Sequence, residues 1–220
     1  MFKEVTIYDQ ELELKGHMTK LDEIVKAWVI FAHGSGSSRK SKRNNWVARE
    51  LNKEGFGTLL FDLLTTEEDE VYLNRFNIPL LSQRLILATS RLMNSEEYHN
   101  EKIAYFGAST GAAAALMAAS HLNFSCPLYA IVSRGGRPDL AGRTSLSQVD
   151  LPTLLIVGSK DKEVIKLNEM ANDELLNSKL VLVPGATHLF EEEGALNEVV
   201  RLSTDWLNSH LEENLRIQLS

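Results

Sequence analysis

The sequence has a single cysteine, Cys126, which excludes a disulfide within the chain and a cysteine-rich metal site. Positive charge is also scarce: 23 Lys and Arg against 30 Asp and Glu give a net charge of −7, which argues against nucleic-acid binding. The longest apolar runs, Ala27–Ala32 and Ala112–Ala119, fall short of the roughly 18 residues that a membrane-spanning helix needs. The charged N-terminal residues do not resemble a secretory signal, so we expect a cytoplasmic location, with no metal or cofactor.

Short apolar segments rich in strand-forming residues alternate with amphipathic helical patterns from residue 28 onward. The predicted strands are Val5–Tyr8, Leu12–Lys15, Trp28–Ala32, Thr58–Phe61, Ile103–Phe106, Leu128–Val132, Thr153–Val157 and Lys179–Val183. This alternation predicts a single α/β domain over residues 1–220, in which a mostly parallel, twisted sheet lies between helices and has an antiparallel N-terminal edge.

Each predicted helix presents one apolar face to the sheet. The helix over Ser41–Glu54 is expected to bury Trp46, Val47 and Leu51, and the helix after residue 161 is expected to bury Val164, Leu167, Met170 and Ala171. Two longer segments, Leu63–Asn77 and Arg134–Asp150, are predicted to be irregular and to lie at the carboxyl ends of strands, where ligands bind in open α/β sheets. We expect Leu63–Asn77 to be a mobile flap.

Residues 107–111, Gly-Ala-Ser-Thr-Gly, lie between a predicted strand and an alanine-rich predicted helix. This G-x-S-x-G pattern is typical of a nucleophile elbow, a sharp turn that exposes the hydroxyl of its serine, here Ser109. The glycines allow strand and helix to approach closely, and the helix N-terminus favours negative charge that develops nearby. The alternative is an ordinary turn in which Ser109 caps the helix.

A second glycine-containing turn, residues 33–37 with the sequence His-Gly-Ser-Gly-Ser, directly follows the strand that ends at Ala32. A turn of this kind supplies a backbone N–H group for an oxyanion hole, so the predicted donors are the N–H groups of Ser35 and Thr110. The alternative, a phosphate-binding loop, lacks the spacing of the known nucleotide-binding glycine motifs. We interpret His33 as a residue that holds the turn.

A base and an orienting acid are expected after the serine, in the order Ser, Asp, His. Asp161 follows the strand Thr153–Val157 and His188 follows the strand Lys179–Val183, so both are expected at the same edge of the sheet as Ser109. In the predicted chemistry His188 accepts the proton of Ser109, and Asp161 orients the imidazole. The alternative role for Asp161 is to cap the helix that follows it.

These four motifs, in this order, resemble the α/β-hydrolase superfamily and within it the small, capless dienelactone-hydrolase-like group. Residues 133–140, Ser-Arg-Gly-Gly-Arg-Pro-Asp-Leu, also resemble a loop of a bacterial subgroup of that kind. The resemblance implies the α/β-hydrolase fold and the hydrolysis of a carboxylic ester, thioester or lactone through an acyl-enzyme. Dienelactone hydrolases typically use a cysteine nucleophile, whereas this chain has Ser109, which favours ester or thioester hydrolysis. Residues 133–152 are too few for a large cap domain.

Several alternatives stay open at this level. Arg134 and Arg137 are candidate binding residues for an anionic substrate such as a carboxylate-bearing ester. The alternative is that they pair with Asp139 and other acidic residues at the same edge of the sheet. The same triad would serve an acyl-protein thioesterase or a peptidase, and a non-catalytic hydrolase-like binding protein is a further alternative. The expected partner is a small ester-type molecule, and the chain is expected to be a monomer or a homodimer.

Overall fold

The computed structural model describes residues 2–122 and 126–218, with side chains described up to residue 212. The eight strands in chain order are β1 (Lys3–Asp9), β2 (Leu12–Thr19), β3 (Ala27–Ala32), β4 (Gly57–Phe61), β5 (Lys102–Ala108), β6 (Leu128–Arg134), β7 (Thr153–Gly158) and β8 (Ser178–Val183). They form one sheet in the order β1-β2-β4-β3-β5-β6-β7-β8. Strand β2 pairs antiparallel with β1 and β4, and β3 to β8 pair in parallel, which confirms the predicted sheet and its antiparallel edge.

Helices cover both faces of this sheet. In chain order they are α1 (Lys42–Lys53), α2 (Thr66–Glu70), α3 (Ile78–Met93), α4 (Thr110–His121), α5 (Arg143–Gln148), α6 (Lys162–Glu174) and α7 (Ala195–Gln218). Helices α1 and α7 pack on one face, and α3 to α6 contribute to the core on the other. Between β6 and β7 the chain forms only a short 3-10 helix and α5, so the fold has no large cap, as predicted.

Strand β3 shows why the buried strands have continuous apolar sequences. Alternate side chains of a strand point to opposite faces of a sheet. Trp28 and Ile30 belong to the core beneath α3 and α4, whereas Val29 and Phe31 belong to the core beneath α1 and α7. Both sets are buried, and the run is apolar because both faces of the strand are covered.

Two predicted core residues are exposed in the structure, which corrects the helix faces inferred from the sequence. Trp46 is 37% exposed and Met170 is 58% exposed. In each helix an asparagine takes a buried position instead: Asn44 in α1 and Asn168 in α6. A buried amide is tolerated when it is hydrogen-bonded, and Asn168 Nδ2 donates to the carbonyl of Gly136 at 3.0 Å.

The two segments predicted to be irregular contain short helices, so that prediction was wrong. Residues 63–77 include α2 and the 3-10 helix Tyr72–Phe76, and residues 134–150 include the 3-10 helix Pro138–Ala141 and α5. Helix α2 begins with a capping box in which Glu68 N–H donates to Thr65 Oγ1 at 3.2 Å and Thr65 N–H donates to the Glu68 carboxylate at 2.9 Å. The spacing Thr-x-x-Glu is readable in the sequence and predicts this helix start.

Candidate active site

Ser109 occupies the turn between β5 and α4 in a strained backbone conformation, with φ +51° and ψ −121°. Positive φ is uncommon for a residue with a side chain and marks a turn that the surrounding structure imposes. The Ser109 N–H donates to the Arg134 carbonyl at 3.3 Å, and the Ser109 carbonyl accepts from the N–H groups of Ala112 (3.1 Å) and Arg137 (3.0 Å). The Ser109 side chain makes no capping hydrogen bond with α4, so the alternative of a capping serine was wrong.

The two glycines of this turn are required by the close approach of neighbouring backbone. A Cβ atom on Gly111 would lie 2.1 Å from the carbonyl oxygen of Ala32, the last residue of β3. A Cβ atom on Gly107 would lie 2.4 Å from the Cα of Ala112 in α4. Backbone atoms cannot move aside as a flexible side chain can, so the space beside Ser109 accepts only glycine at both positions.

Asp161 and His188 meet at the carboxyl ends of β7 and β8. His188 Nδ1 lies 2.7 Å from Asp161 Oδ2, and the Asp161 side chain makes no capping bond with α6, although Asp161 occupies its N-cap position. An ionised carboxylate only accepts hydrogen bonds, so the proton of a neutral His188 imidazole sits on Nδ1. The Nε2 atom is then free of a proton and is able to accept one from a nucleophile.

A cleft of about 260 Å³ contains Ser109 and His188 together. The turn after β3 forms another part of its wall, through Gly34 and Ser35. The Thr110 side chain is buried away from this cleft, and its N–H is the first of α4. In the described residues no hydrogen bond occupies the backbone N–H of Ser35 or of Thr110, so both predicted oxyanion donors are free to bind a ligand.

His33 holds the turn after β3, as the sequence predicts. Its Nδ1 lies 2.9 Å from the Gly34 carbonyl, and its Nε2 accepts a hydrogen bond from the Leu63 N–H at 3.0 Å. Burial lowers the pKa of His33 below its ordinary value, which keeps the ring neutral. His33 thereby connects the turn that carries Ser35 to the start of the segment 63–77.

The two arginines predicted to bind substrate have different surroundings. Arg137 forms a two-point contact with the Asp139 carboxylate, at 2.9 and 2.8 Å, and does not line the cleft. Arg134 is only 7% exposed and lines the cleft. Its Nη2 donates to Asn44 Oδ1 at 3.2 Å. The alternative that these arginines pair with acidic residues is therefore correct for Arg137 and wrong for Arg134.

Sequence reasoning missed Asn44, which lies 90 residues from Arg134 along the chain and contacts it in the cleft wall. A signal for it exists in the sequence. Asn44 precedes Val47, Ala48 and Leu51 at helical spacing, so it is a polar residue on the apolar face of α1. A polar residue at such a position needs a buried partner, and in this fold the partner is Arg134.

Within residues 2–122 and 126–218, no group of three or more His, Cys, Asp or Glu side chains is arranged to hold a metal ion. None of the helices described there is both long and apolar enough to cross a lipid bilayer.

The fold and the arrangement around Ser109 define an α/β-hydrolase. Residues 25–202 match the family model described as "Alpha/beta hydrolase domain", and the chain belongs to this family. Within it the chain is dienelactone-hydrolase-like: a dienelactone hydrolase from Anabaena variabilis has 46% sequence identity and a TM-score of 0.89, and the match covers 96% of this chain and 98% of that one. Est1E from Butyrivibrio proteoclasticus, at 14% identity, a TM-score of 0.79 and coverage of 95% and 99%, shares the fold.

Two curated relatives from strains of Mycobacterium tuberculosis carry a different name, "Putative phosphoribosyl transferase". They are 49% identical over 210 residues, which is 95% of this chain and 46% of the relatives. The chain therefore spans about half the length of the curated relatives it matches. The shared half corresponds to the hydrolase fold described above.

Proposed function

We propose that this chain is a serine hydrolase that cleaves a carboxylic ester, thioester or lactone, with Ser109 as nucleophile, His188 as base and Asp161 as the orienting acid. The observation that carries the proposal is the cleft in which the strained Ser109 turn and the Asp161-bound His188 imidazole lie together. The dienelactone hydrolase activity named for the Anabaena relative supports this class of substrate. Residues 1–220 are proposed to act as one catalytic domain.

The proposed reaction has two halves. In the first, His188 Nε2 takes the proton of Ser109 Oγ while the Oγ–carbonyl bond forms, and the same proton then leaves with the alcohol or thiol as the carbon–heteroatom bond breaks. In the second, water gives a proton to His188 Nε2 and attacks the carbonyl carbon of the acyl-enzyme. The carbonyl–Oγ bond then breaks while His188 returns a proton to Ser109 Oγ, which releases the acid and restores Ser109. The backbone N–H groups of Ser35 and Thr110 are the proposed donors to the oxyanion in both halves.

The transferase activity in the name of the mycobacterial relatives is not proposed for this chain. That name describes a protein about twice as long, and the part it shares with this chain has the hydrolase fold. The arrangement of Ser109, His188 and Asp161 serves acyl transfer to water directly. A thioesterase acting on acyl-proteins or a peptidase would use the same residues and differ in the substrate that fits the cleft.

The experiment that tests the proposal is covalent labelling with a fluorophosphonate, followed by intact-protein mass measurement. The wild-type protein is expected to gain one adduct, and Ser109→Ala is expected to gain none. Ser147→Ala, which removes an exposed serine of α5, is the matched control and is expected to label like wild type. Folded wild-type protein that gains no adduct would overturn the proposal, and so would labelling of Ser109→Ala.

A further inference from the structure

Arg134 is a buried cation without a counter-ion among the described residues. It is 7% exposed, its Nε has no hydrogen-bond partner, and the guanidinium makes one side-chain hydrogen bond, to Asn44 Oδ1. Burial, together with the neighbouring Arg43, lowers the pKa of Arg134 to about 10, so the group is still charged at neutral pH. The guanidinium carbon also lies 6.0 Å from the centroid of the Phe190 ring, a cation–π contact that does not neutralise the charge. A buried charge without a counter-ion is unfavourable for folding, and its retention points to an anionic ligand that pairs with it.

The cleft wall around Arg134 contains no acidic side chain within the described residues. The other arginine of the wall, Arg43, forms an ion pair with Glu191 at 2.8 Å and is already compensated. One positive charge of the cleft therefore stays free for a ligand. A guanidinium matches the planar geometry of a carboxylate and also binds phosphate oxygens, in both cases through parallel N–H donors.

Arg134 stands close to the bond that the proposed reaction would break. It is the last residue of β6, and its register partner on β5 is Ala108, the residue before Ser109. The Ser109 N–H also donates to the Arg134 carbonyl. Neighbouring strands lie about 4.8 Å apart, so the backbone of Arg134 lies about that far from the backbone of Ala108, directly before the nucleophile turn.

We infer that Arg134 is a specificity-determining residue that binds an oxyanion on the substrate, so that the enzyme prefers esters or thioesters bearing a carboxylate or phosphate near the scissile carbonyl. This inference rests on the proposed function. The small volume of the cleft, about 260 Å³, limits the anionic portion to a short group. Asn44 acts through Arg134 as a positioning residue, because its Oδ1 accepts from one Nη atom and orients the guanidinium plane.

The test compares kcat/KM for four esters at neutral pH. Ethyl butyrate is neutral, monoethyl succinate carries a carboxylate on the acyl side, and 2-(butyryloxy)acetate and 2-(butyryloxy)ethyl phosphate carry a carboxylate and a phosphate on the alcohol side. Wild type is expected to prefer at least one anionic ester over ethyl butyrate by about tenfold or more, as a charge-assisted contact allows. The preferred compound identifies the anion and the side of the ester that faces Arg134.

In Arg134→Gln the ratio of kcat/KM for the preferred anionic ester to kcat/KM for ethyl butyrate is expected to fall to about one. The amide of glutamine is able to form hydrogen bonds but carries no charge. Arg143→Gln removes a charge from the surface pair with Glu174 and is expected to keep the wild-type ratio. If Arg134→Gln does not fold, the comparison is made between wild type and Arg134→Lys. The lysine retains the positive charge, so Arg134→Lys is expected to keep part of the preference for anionic esters.

Three outcomes would overturn the inference. The first is a wild-type kcat/KM for all three anionic esters that is close to that for ethyl butyrate. The second is a preference for an anionic ester that persists in Arg134→Gln. The third is a large fall in the Tm of Arg134→Met together with an unchanged preference in Arg134→Gln, which would assign Arg134 a purely structural role. The proposed function fails separately, when wild type neither hydrolyses ethyl butyrate nor labels at Ser109. The two failures are therefore distinguishable in the same set of proteins.

Discussion

Asp161 Oδ2 lies 2.7 Å from His188 Nδ1, although the two residues are 27 positions apart in the chain. Strands β7 and β8 are parallel neighbours, so the turns that follow them lie side by side at one edge of the sheet. The contact decides which imidazole nitrogen carries the proton, because a carboxylate can only accept. It leaves Nε2 as the acceptor for the proposed chemistry.

Asp161→Asn tests this contact directly. The amide of asparagine is able to donate to Nδ1, which favours the tautomer with the proton on Nε2 and blocks proton transfer from Ser109. We expect kcat for ethyl butyrate to fall about 10³- to 10⁴-fold with little change in Tm. Asp150→Asn, which alters an exposed carboxylate just before β7, is the control and is expected to retain wild-type turnover. A loss smaller than tenfold in Asp161→Asn would contradict the assignment.

Gly111→Ala tests the steric requirement of the Ser109 turn. The added methyl group would lie 2.1 Å from the Ala32 carbonyl oxygen, so β3 and α4 would have to separate. We expect the free energy of unfolding in urea to fall by about 3 kcal/mol or more. Gly142→Ala, where φ is +78°, ψ is +151° and the added methyl meets nothing within 4 Å, isolates backbone strain and is expected to lose about 1–3 kcal/mol. Equal losses in the two variants would contradict the steric argument.

The stability of the protein is expected to depend on pH through His33. Burial lowers the pKa of His33, so in acid the unfolded chain binds a proton that the folded chain resists. The free energy of unfolding therefore falls as pH drops below the ordinary histidine pKa of about 6.5. Protonation of Nε2 would also break the hydrogen bond from the Leu63 N–H.

The measurement is urea unfolding between pH 7.5 and 5 for wild type and His33→Gln. Glutamine does not titrate and offers an oxygen for the Leu63 N–H, so its loss of stability in acid is expected to be smaller. His17, whose pKa burial also lowers, contributes with the same sign and is present in both proteins. His121→Gln, at an exposed position of α4, is the control and is expected to follow wild type. Identical pH slopes in His33→Gln and wild type would contradict the prediction.

Thr65→Ala tests whether residues 63–77 are part of the cooperative fold. The substitution removes the Oγ1 acceptor of the capping box at the start of α2. We expect a loss of about 1 kcal/mol in the free energy of unfolding. Thr66→Ala, which changes the exposed neighbouring threonine, is expected to stay close to wild type. If Thr65→Ala leaves global unfolding unchanged and only increases amide exchange in α2, the segment opens independently, as the predicted flap would.

Much of the fold was predictable because its signals are local. The continuous apolar segment of β3 and the Gly-x-Ser-x-Gly turn are each encoded in fewer than ten consecutive residues. The helix faces were less well predicted. In α1 the apolar Trp46 lies on the face opposite the buried residues, whereas the polar Asn44 lies among them, so residue polarity pointed to the wrong face at both positions although the helical spacing of Asn44, Val47, Ala48 and Leu51 was readable. Helix α2 was not predicted, although the spacing of Thr65 and Glu68 indicates a capping box, because the acidic residues after Thr65 were interpreted as an irregular segment.

The sequence by itself determined the α/β class, the order of the strands and helices, and which turns carry Ser109, Asp161 and His188, because hydrophobic periodicity and glycine spacing act between near neighbours. Only the tertiary structure decided which arginine pairs with an acid and which stays buried without one. Arg137 finds Asp139 two residues away, whereas Arg134 meets Asn44 from a different element 90 residues distant. Such contacts depend on how the sheet and helices pack, and the electrostatics of the cleft follow from that packing.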